Sequence, residues 1–456
     1  MSDSQLEIFL IQMVGPVSVI LRNIALPWIF VGCRFKLKFI MDFSFLVMPV
    51  IFSMTLFSEH ISVILIFQII ALFSLSIFYL CEYCFIAREK PSLKHIANQI
   101  IDDQHISTKF VIYMRSMILI ATAVAILAID FPIFPQRFAK TSVYGRSLMD
   151  VGAASFVFCL GCFDVFKHFS CSASAYPPKR GFKILFSSSA ILLYLGILRT
   201  VILKLIGYQQ DVTEYGVHWN FFFTLAFIKR SEKNMQNSKF VVSKIIITKA
   251  LCRRFHFLLG LIFISIHQLI LGYAEFQDWL LSEDVPRNDF FSANREGIFS
   301  LIGYLSLYYF SSVIARFIAS TGIRLKSWFQ RNLQLLLLAS FLFFLQKCSQ
   351  SLFGPPSRRI ANITYVMEML VFHSSCMAAF LFVQFVSLFC WAAKVPQFTS
   401  DENPFENQNP CLLNSINEFA MSFFLLSNLL TGFVNLTIVC SEYTNAYHST
   451  TNLKDR

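Results

Sequence analysis

Residues Ala128–Phe158 read AIDFPIFPQRFAKTSVYGRSLMDVGAASFVF. An apolar helical run ends at Asp130, Pro132 and Pro135 interrupt it, and a basic cluster of Arg137, Lys140 and Arg146 follows before Asp150 opens the next apolar run. Proline lacks the amide hydrogen that a helix interior needs, and it turns the preceding residue away from helical backbone. The stretch therefore reads as two membrane-grade helices joined by a charged connection. Charges set so close to hydrocarbon are costly, and by default they mark a working site.

The rest of the chain agrees with a membrane setting. Of 456 residues 56% are hydrophobic and only 14% charged, with a mean hydropathy of +0.60. Soluble domains carry about 25% charged residues. The 53 phenylalanines fit a lipid-facing surface. The net charge of +11 fits basic cytoplasmic loops. No compact basic domain with interleaved aromatics stands outside the apolar runs, so nucleic acid is excluded as a partner. The 12 cysteines are scattered. Cys81 and Cys84 form a lone C-x-x-C without a second pair or a nearby histidine, so no metal is expected. The N-terminus, MSDSQLEIFLIQMVG, has no basic region or small-residue cleavage site and does not read as a cleaved signal. G-x-S-x-G, H-E-x-x-H, P-loop and dinucleotide-binding patterns are absent from fitting contexts, which leaves serine-hydrolase and ATPase mechanisms unsupported.

With about 20 apolar residues per crossing, candidate spans fall at 15–33, 39–57, 61–81, 111–129, 148–166, 184–206, 217–228, 257–273, 298–318, 333–348, 365–391 and 419–440. The expected fold is all-α: one polytopic membrane domain over 1–456 with about 12–13 transmembrane helices and a polar tail at 441–456. Basic loops follow the odd spans, which places them in the cytoplasm. The even exits carry DFPIFPQRFAK, GYQQDVTEYGVHWN, SANREG and SRRIAN, so four unusual polar segments share the other face. Arg137, Lys140, Arg146, Arg358 and Arg359 lie there against the positive-inside rule, and binding an anionic ligand is the natural reason.

Within those segments, Asp130 and Lys140 would stand about 15 Å apart on a continuous helix. The prolines let the chain fold back so that the two can meet, as an acid–base pair or as an ion pair pinning a loop. Glu214 and His218 share a helix face at i, i+4 if that segment is helical, either as base and orienter or as groups that bind sugar hydroxyls. Alternatively Tyr215 and Trp219 belong to an interfacial belt and His218 is merely solvated. Arg295 and Arg358 open apolar runs, where guanidinium suits a phosphate or simple headgroup anchoring. Asp42 and Asp150 are intramembrane carboxylates that need partners, for which Arg199 and Lys204 are candidates. Asn362-Ile363-Thr364 matches a glycosylation acceptor, and Asn435-Leu436-Thr437 inside a span is a chance match.

The same segments resemble the inositol acyltransferases of glycosylphosphatidylinositol-anchor biosynthesis. The matching stretches are residues 125–140, 144–158, 206–224, 294–304, 357–362 and 423–436 in one order. The resemblance implies an endoplasmic-reticulum enzyme of about thirteen spans. Such an enzyme moves a palmitoyl-type group from acyl-CoA to the inositol 2-hydroxyl of glucosaminyl-phosphatidylinositol. It implies Asp130 and Lys140 as the catalytic dyad, and a substrate site drawn from Arg137, Tyr144, Asp150, Glu214, His218, Trp219, Asn220, Asn294, Arg295, Glu296, Arg358, Arg359 and Asn362. The catalytic stretch is then 125–158, with lumenal site segments at 206–224, 290–304 and 355–364. Acyl-CoA enters as co-substrate, no permanently bound cofactor is expected, and no obligate protein partner is evident. The chain departs from the family's pattern at Met13-Val14-Gly15-Pro16, at the polar run Lys229–Asn237, and after the FFLLSN segment, where one more span is expected. A transporter or flippase of an anionic lipid is the competing reading, though no internal repeat between halves supports it.

Overall fold

The computed structural model describes residues 3–29, 35–81, 84, 103–171, 188–207, 212–242, 249–273, 275–321, 325–394 and 411–452. The basic segments around Arg88–Lys94 and Lys179–Lys183, together with Asp211, lie outside the described residues. Every described element is helical or turn. Among the described residues ten helices are long and apolar enough to cross a membrane, and a further helix is apolar over residues 420–435. The chain is thus an all-α, multi-pass membrane protein. Its apolar helices turn large side chains outward, as at Phe67, Phe73, Phe341, Phe344 and Phe433, which is where lipid-facing phenylalanine was expected.

One expected span is redrawn. Residues 217–228 are not an apolar span, because the helix there begins at Phe221 and runs through the polar KRSEKNMQN stretch to Val242. The last apolar run is helical as expected, and its helix, which starts at Ala420, continues to Asn452 and takes in much of the expected polar tail. The first helix also starts at Asp3 rather than near Gly15, since Ser4, Gln5 and Glu7 end the apolar run without ending the helix.

The chain divides into two compact units, residues 1–97, 112–139 and 379–456 in the first and 98–111 and 140–378 in the second. In the first unit, α1 (Asp3–Ile29) packs on α3 (Met48–Met54) and α4 (Ile61–Cys81), and α2 (Phe35–Asp42) leads into α3 through a π-helical turn. The buried Arg22 of α1 grips Asp42 with bonds of 2.8 and 3.1 Å, and Asp42 also accepts from the Leu412 amide at 3.0 Å. Arg22, not Arg199 or Lys204, is therefore the partner of Asp42.

In the second unit α13 (Arg295–Ala319) is central. It packs along both α6 (Leu148–Cys171) and α10 (Lys249–Leu271), and α9 (Phe221–Val242) lies on it and on α7 (Ser188–Ile206). α6 approaches closely at Gly161, where a Cβ would sit 2.8 Å from the Tyr308 carbonyl. α9 carries Lys229 among carboxylates: Lys229 is bonded to Asp164 of α6 and lies 3.3 Å from Glu232, while Tyr308 donates to Asp164 at 3.1 Å. Pairing of this kind is what a charged residue inside a helical bundle requires.

Candidate active site

The chain after α5 (Asp103–Ala128) leaves the helix by turns, with the Phe131 amide donating to Ala128 and the Phe134 amide to Phe131. Asp130 sits exposed in the first of these turns. Pro135 then starts a short 3-10 turn over Gln136–Phe138, so the prolines do end the helix as their chemistry demands. Arg137 is held by Glu7 at 2.9 Å and Glu59 at 2.5 Å, all in the first unit. These carboxylates raise the affinity of its guanidinium for the proton, hydrogen bonding to Glu7 being the largest cause.

The longer segment of the second unit begins at Lys140 and builds a chain of four charges. Lys140 donates to Glu214 at 2.9 Å, Arg358 bonds the other oxygen of Glu214 at 3.0 Å, and the same guanidinium reaches Asp150 at 2.9 Å. Two cations and two carboxylates balance. Asp150 opens α6, where its amide takes the Ser147 hydroxyl at 3.1 Å and its carboxylate accepts from Thr141 at 2.8 Å. Burial opposes the charge of Arg358, but Glu214, Tyr215 and Asp150 outweigh it and hold the group charged. Burial also pushes the Tyr215 phenol well up, so it stays protonated.

Arg358 is positioned by the tight turn over residues 354–362. Ser357 donates to the Val143 carbonyl at 2.5 Å, the Gly145 amide to Pro356 at 3.0 Å, and His267 bonds the Ile360 carbonyl at 2.7 Å. Asn362 closes the turn: its carbonyl oxygen accepts from the Ser357 and Tyr365 amides, and its nitrogen donates to Pro355 at 2.9 Å. Both ends of this buried amide are used, so Asn362 is a brace and not an accessible glycan acceptor.

A second group lies at the first turn of α13. Glu296 is bonded by Arg287 at 2.6 Å and by Arg359 at 3.3 Å, with Arg295 at 3.6 Å. Asn294 binds the backbone of the neighbouring segment, accepting from the amides of His218 at 2.8 Å and Trp219 at 2.9 Å, while the Val217 amide donates to Ala293. Gly216 makes this approach possible. Its φ is +118°, and a Cβ there would lie 2.5 Å from Asn294 Cα. Gly216→Ala is therefore expected to destabilise the protein by about 1–3 kcal/mol, from strain at positive φ plus the clash. Thermal melting in detergent measures it, and an unchanged midpoint would show that the loop does not need this geometry.

These bonds have a topological consequence. Residues 216–220 touch 293–294, so both lie at one membrane face and the chain between them crosses an even number of times. α10 is long and apolar enough to span, and α9 is the neighbouring helix that would return the chain. Its 22 residues extend about 33 Å, enough for the hydrocarbon core. The Lys229 group explains how so polar a helix manages it. The charged segments 140–150, 212–220, 287–297 and 354–362 thus gather at one face.

A family model described as GWT1 matches residues 2–450. The chain belongs to the GWT1 family. The protein named GPI-anchored wall transfer protein 1 in Candida albicans is 31% identical over 447 residues, covering 90% of this chain and 84% of that one. Its namesake in Schizosaccharomyces pombe is 33% identical over 340 residues, covering 74% and 67%. The bovine glucosaminyl-phosphatidylinositol-acyltransferase PIGW is 28% identical over 439 residues, covering 88% and 82%.

Within this GWT1-family chain, the structure joins Lys140, Asp150, Glu214 and Arg358 into one network and sets Asn294, Arg295, Glu296 and Arg359 in the same unit. Asp130 and Arg137 belong to the other unit. Glu214 and His218 do not share a helix face, because α8 (Val212–Tyr215) ends before Gly216 turns the chain. His218 instead faces Lys204 at 3.3 Å. Trp219 stacks on Phe227, and Asn220 caps α9 through the Phe222 amide at 3.1 Å. Tyr144 is bonded by Gln277. The partner of Asp150 is Arg358 rather than Arg199 or Lys204. Sequence reading missed the Arg146–Glu368 pair at 2.7 Å and the role of Arg287. Glu368 was findable, as a carboxylate inside the apolar run of α15 (Ile363–Lys394). Among the described residues no His/Cys/Asp/Glu group could hold a metal.

Proposed function

We propose that this chain is a glucosaminyl-phosphatidylinositol acyltransferase of anchor biosynthesis. The observation that carries the reading is membership of the GWT1 family over nearly the whole chain, with the bovine relative named for that activity. The acyl donor is acyl-CoA of palmitoyl type, the acceptor is the inositol 2-hydroxyl, and the enzyme works in the endoplasmic-reticulum membrane with its site on the lumenal side.

Asp130 is the general base. It takes the proton of the inositol hydroxyl as that oxygen forms a bond to the thioester carbon. The carbon–sulfur bond breaks, and the CoA thiolate leaves and picks up a proton. No acyl-enzyme is required. Lys140, held in place by Glu214, either tunes the carboxylate or steadies the oxyanion of the tetrahedral intermediate. Glu214, His218 and Asn220 are candidates for the glucosaminyl-inositol headgroup, with Tyr144, Asp150, Trp219, Asn294, Glu296, Arg359 and Asn362 shaping the site. Of the arginines Arg137, Arg295 and Arg358, the candidate for phosphate is Arg295, since carboxylates already engage the other two. Support for one shared site comes from the gathering of charged segments at one face.

Membranes expressing the chain, given labelled palmitoyl-CoA and glucosaminyl-phosphatidylinositol, should produce an acylated lipid that is absent from untransformed membranes. Lack of that product would favour lipid transport instead.

A further inference from the structure

Three guanidiniums converge on a single carboxylate at the start of α13. Glu296 Oε1 lies 2.6 Å from Arg287, 3.3 Å from Arg359 and 3.6 Å from Arg295. The other ion-pair groups described above are neutral or carboxylate-rich: Arg22 with Asp42, Lys140 and Arg358 with Asp150 and Glu214, Arg146 with Glu368, Arg137 with Glu7 and Glu59, Lys229 with Asp164 and Glu232. Here three positive charges meet one negative charge.

The donors are also unspent. Arg295 is fully buried, yet its Nε and Nη1 have no hydrogen-bond partner, and neither has Arg359 Nε. The remaining nitrogen of Arg295 bonds the Ser282 carbonyl, and its plane lies 5.2 Å from the centre of the Trp279 ring. Glu296 does not supply what is missing: its oxygens meet Arg287 and Arg359 Nη2, and Arg295 Nε stands 3.6 Å off. Buried charge without compensation is costly, and guanidinium donors in a fork match phosphate oxygens two at a time. The first turn of a 25-residue helix adds the positive end of its dipole.

We propose that Arg295 and Arg359, with Arg287 at the rim, form a phosphate-binding site at the first turn of α13, whereas Arg358 and Arg137, engaged by carboxylates, do not. This rests on the acyltransferase reading above, which offers two sources of phosphate: the phosphodiester of glucosaminyl-phosphatidylinositol and the phosphates of acyl-CoA. Three guanidiniums with one carboxylate leave room for one or two negative charges, which a phosphodiester or phosphomonoester provides.

The test uses the full chain purified in detergent, with Arg359→Gln as the variant. Dioctanoyl-phosphatidylinositol should raise the melting temperature of the wild type in a dose-dependent way, and dioctanoylglycerol should not. Arg359→Gln should lose this protection. In acyl-transfer assays it should raise one KM by about ten- to hundred-fold, the size expected for losing a charged hydrogen bond. A rise in the KM for glucosaminyl-phosphatidylinositol assigns the lipid phosphodiester, and a rise in the KM for acyl-CoA assigns the donor's phosphates. Unchanged KM values for both substrates, with protection retained, would overturn the site and leave a purely structural arginine–glutamate cluster. If Arg359→Gln does not fold, Arg287→Gln at the rim replaces it, with the same two readouts. A wild type that is protected by the inositol lipid but transfers no acyl group would remove the acyltransferase reading while keeping the phosphate site.

Discussion

Asp130→Asn is expected to lower acyl transfer by about 10²–10⁴-fold, the usual contribution of a positioned general base. Asparagine keeps the shape of the side chain but cannot accept the inositol proton. The position is exposed, in a turn whose described hydrogen bonds run through backbone atoms, so the variant should melt like the wild type. The decisive comparison is turnover per folded molecule, with labelled palmitoyl-CoA as donor. Near-normal turnover would remove Asp130 from the base role, and His218 would be examined next. Loss of turnover together with loss of the folded protein would show only that the turn needs a charge.

Arg358→Met is expected to destabilise the second unit by about 3–5 kcal/mol, the cost of breaking a buried pair while leaving its charges behind. Arg358 bridges two carboxylates, Asp150 at 2.9 Å and Glu214 at 3.0 Å, and its side chain is only 5% exposed. Removing it leaves the buried Asp150 with only the neutral donors of Thr141 among its described bonds, and takes one cation from Glu214. The sign can be checked by compensation. Adding Asp150→Asn and Glu214→Gln to the methionine variant should recover part of the loss, because the stranded charges go with their partner. Thermal melting of the single and triple variants measures both effects. A single variant as stable as the wild type would mean that the network does not hold the four segments together. Arg358→Lys should not rescue, since one ammonium cannot reproduce a planar fork that spans two carboxylates.

Much of the architecture was legible because it depends on local chemistry. A run of apolar residues must form a helix in lipid, since hydrocarbon offers no other partner for the backbone. Pro132 and Pro135 must end one. These rules placed Leu148–Phe166 to the residue and brought most other spans within a few residues of their positions. They failed at α9, where the apolar stretch stops after Ile228 but the helix does not. There the helix carries its polar half past Lys229 because Asp164 of α6 and Tyr308 of α13 supply a setting that no window of sequence contains.

The candidate site divides in the same way. From sequence alone came the segments: four charged exits, their shared face, and Lys140, Asp150, Glu214, Arg295 and Arg358 as residues with no ordinary reason to be there. Only the tertiary structure decided who meets whom. Asp42 found Arg22 and Asp150 found Arg358, while Glu214 turned from His218 to Lys140 and Arg358 once Gly216 broke the helix. Ion pairs and hydrogen bonds act over about 3 Å between residues that in this network lie up to 208 positions apart. Hydropathy and proline act within a few residues, so a sequence states them directly. The pairings exist only after the helices have packed.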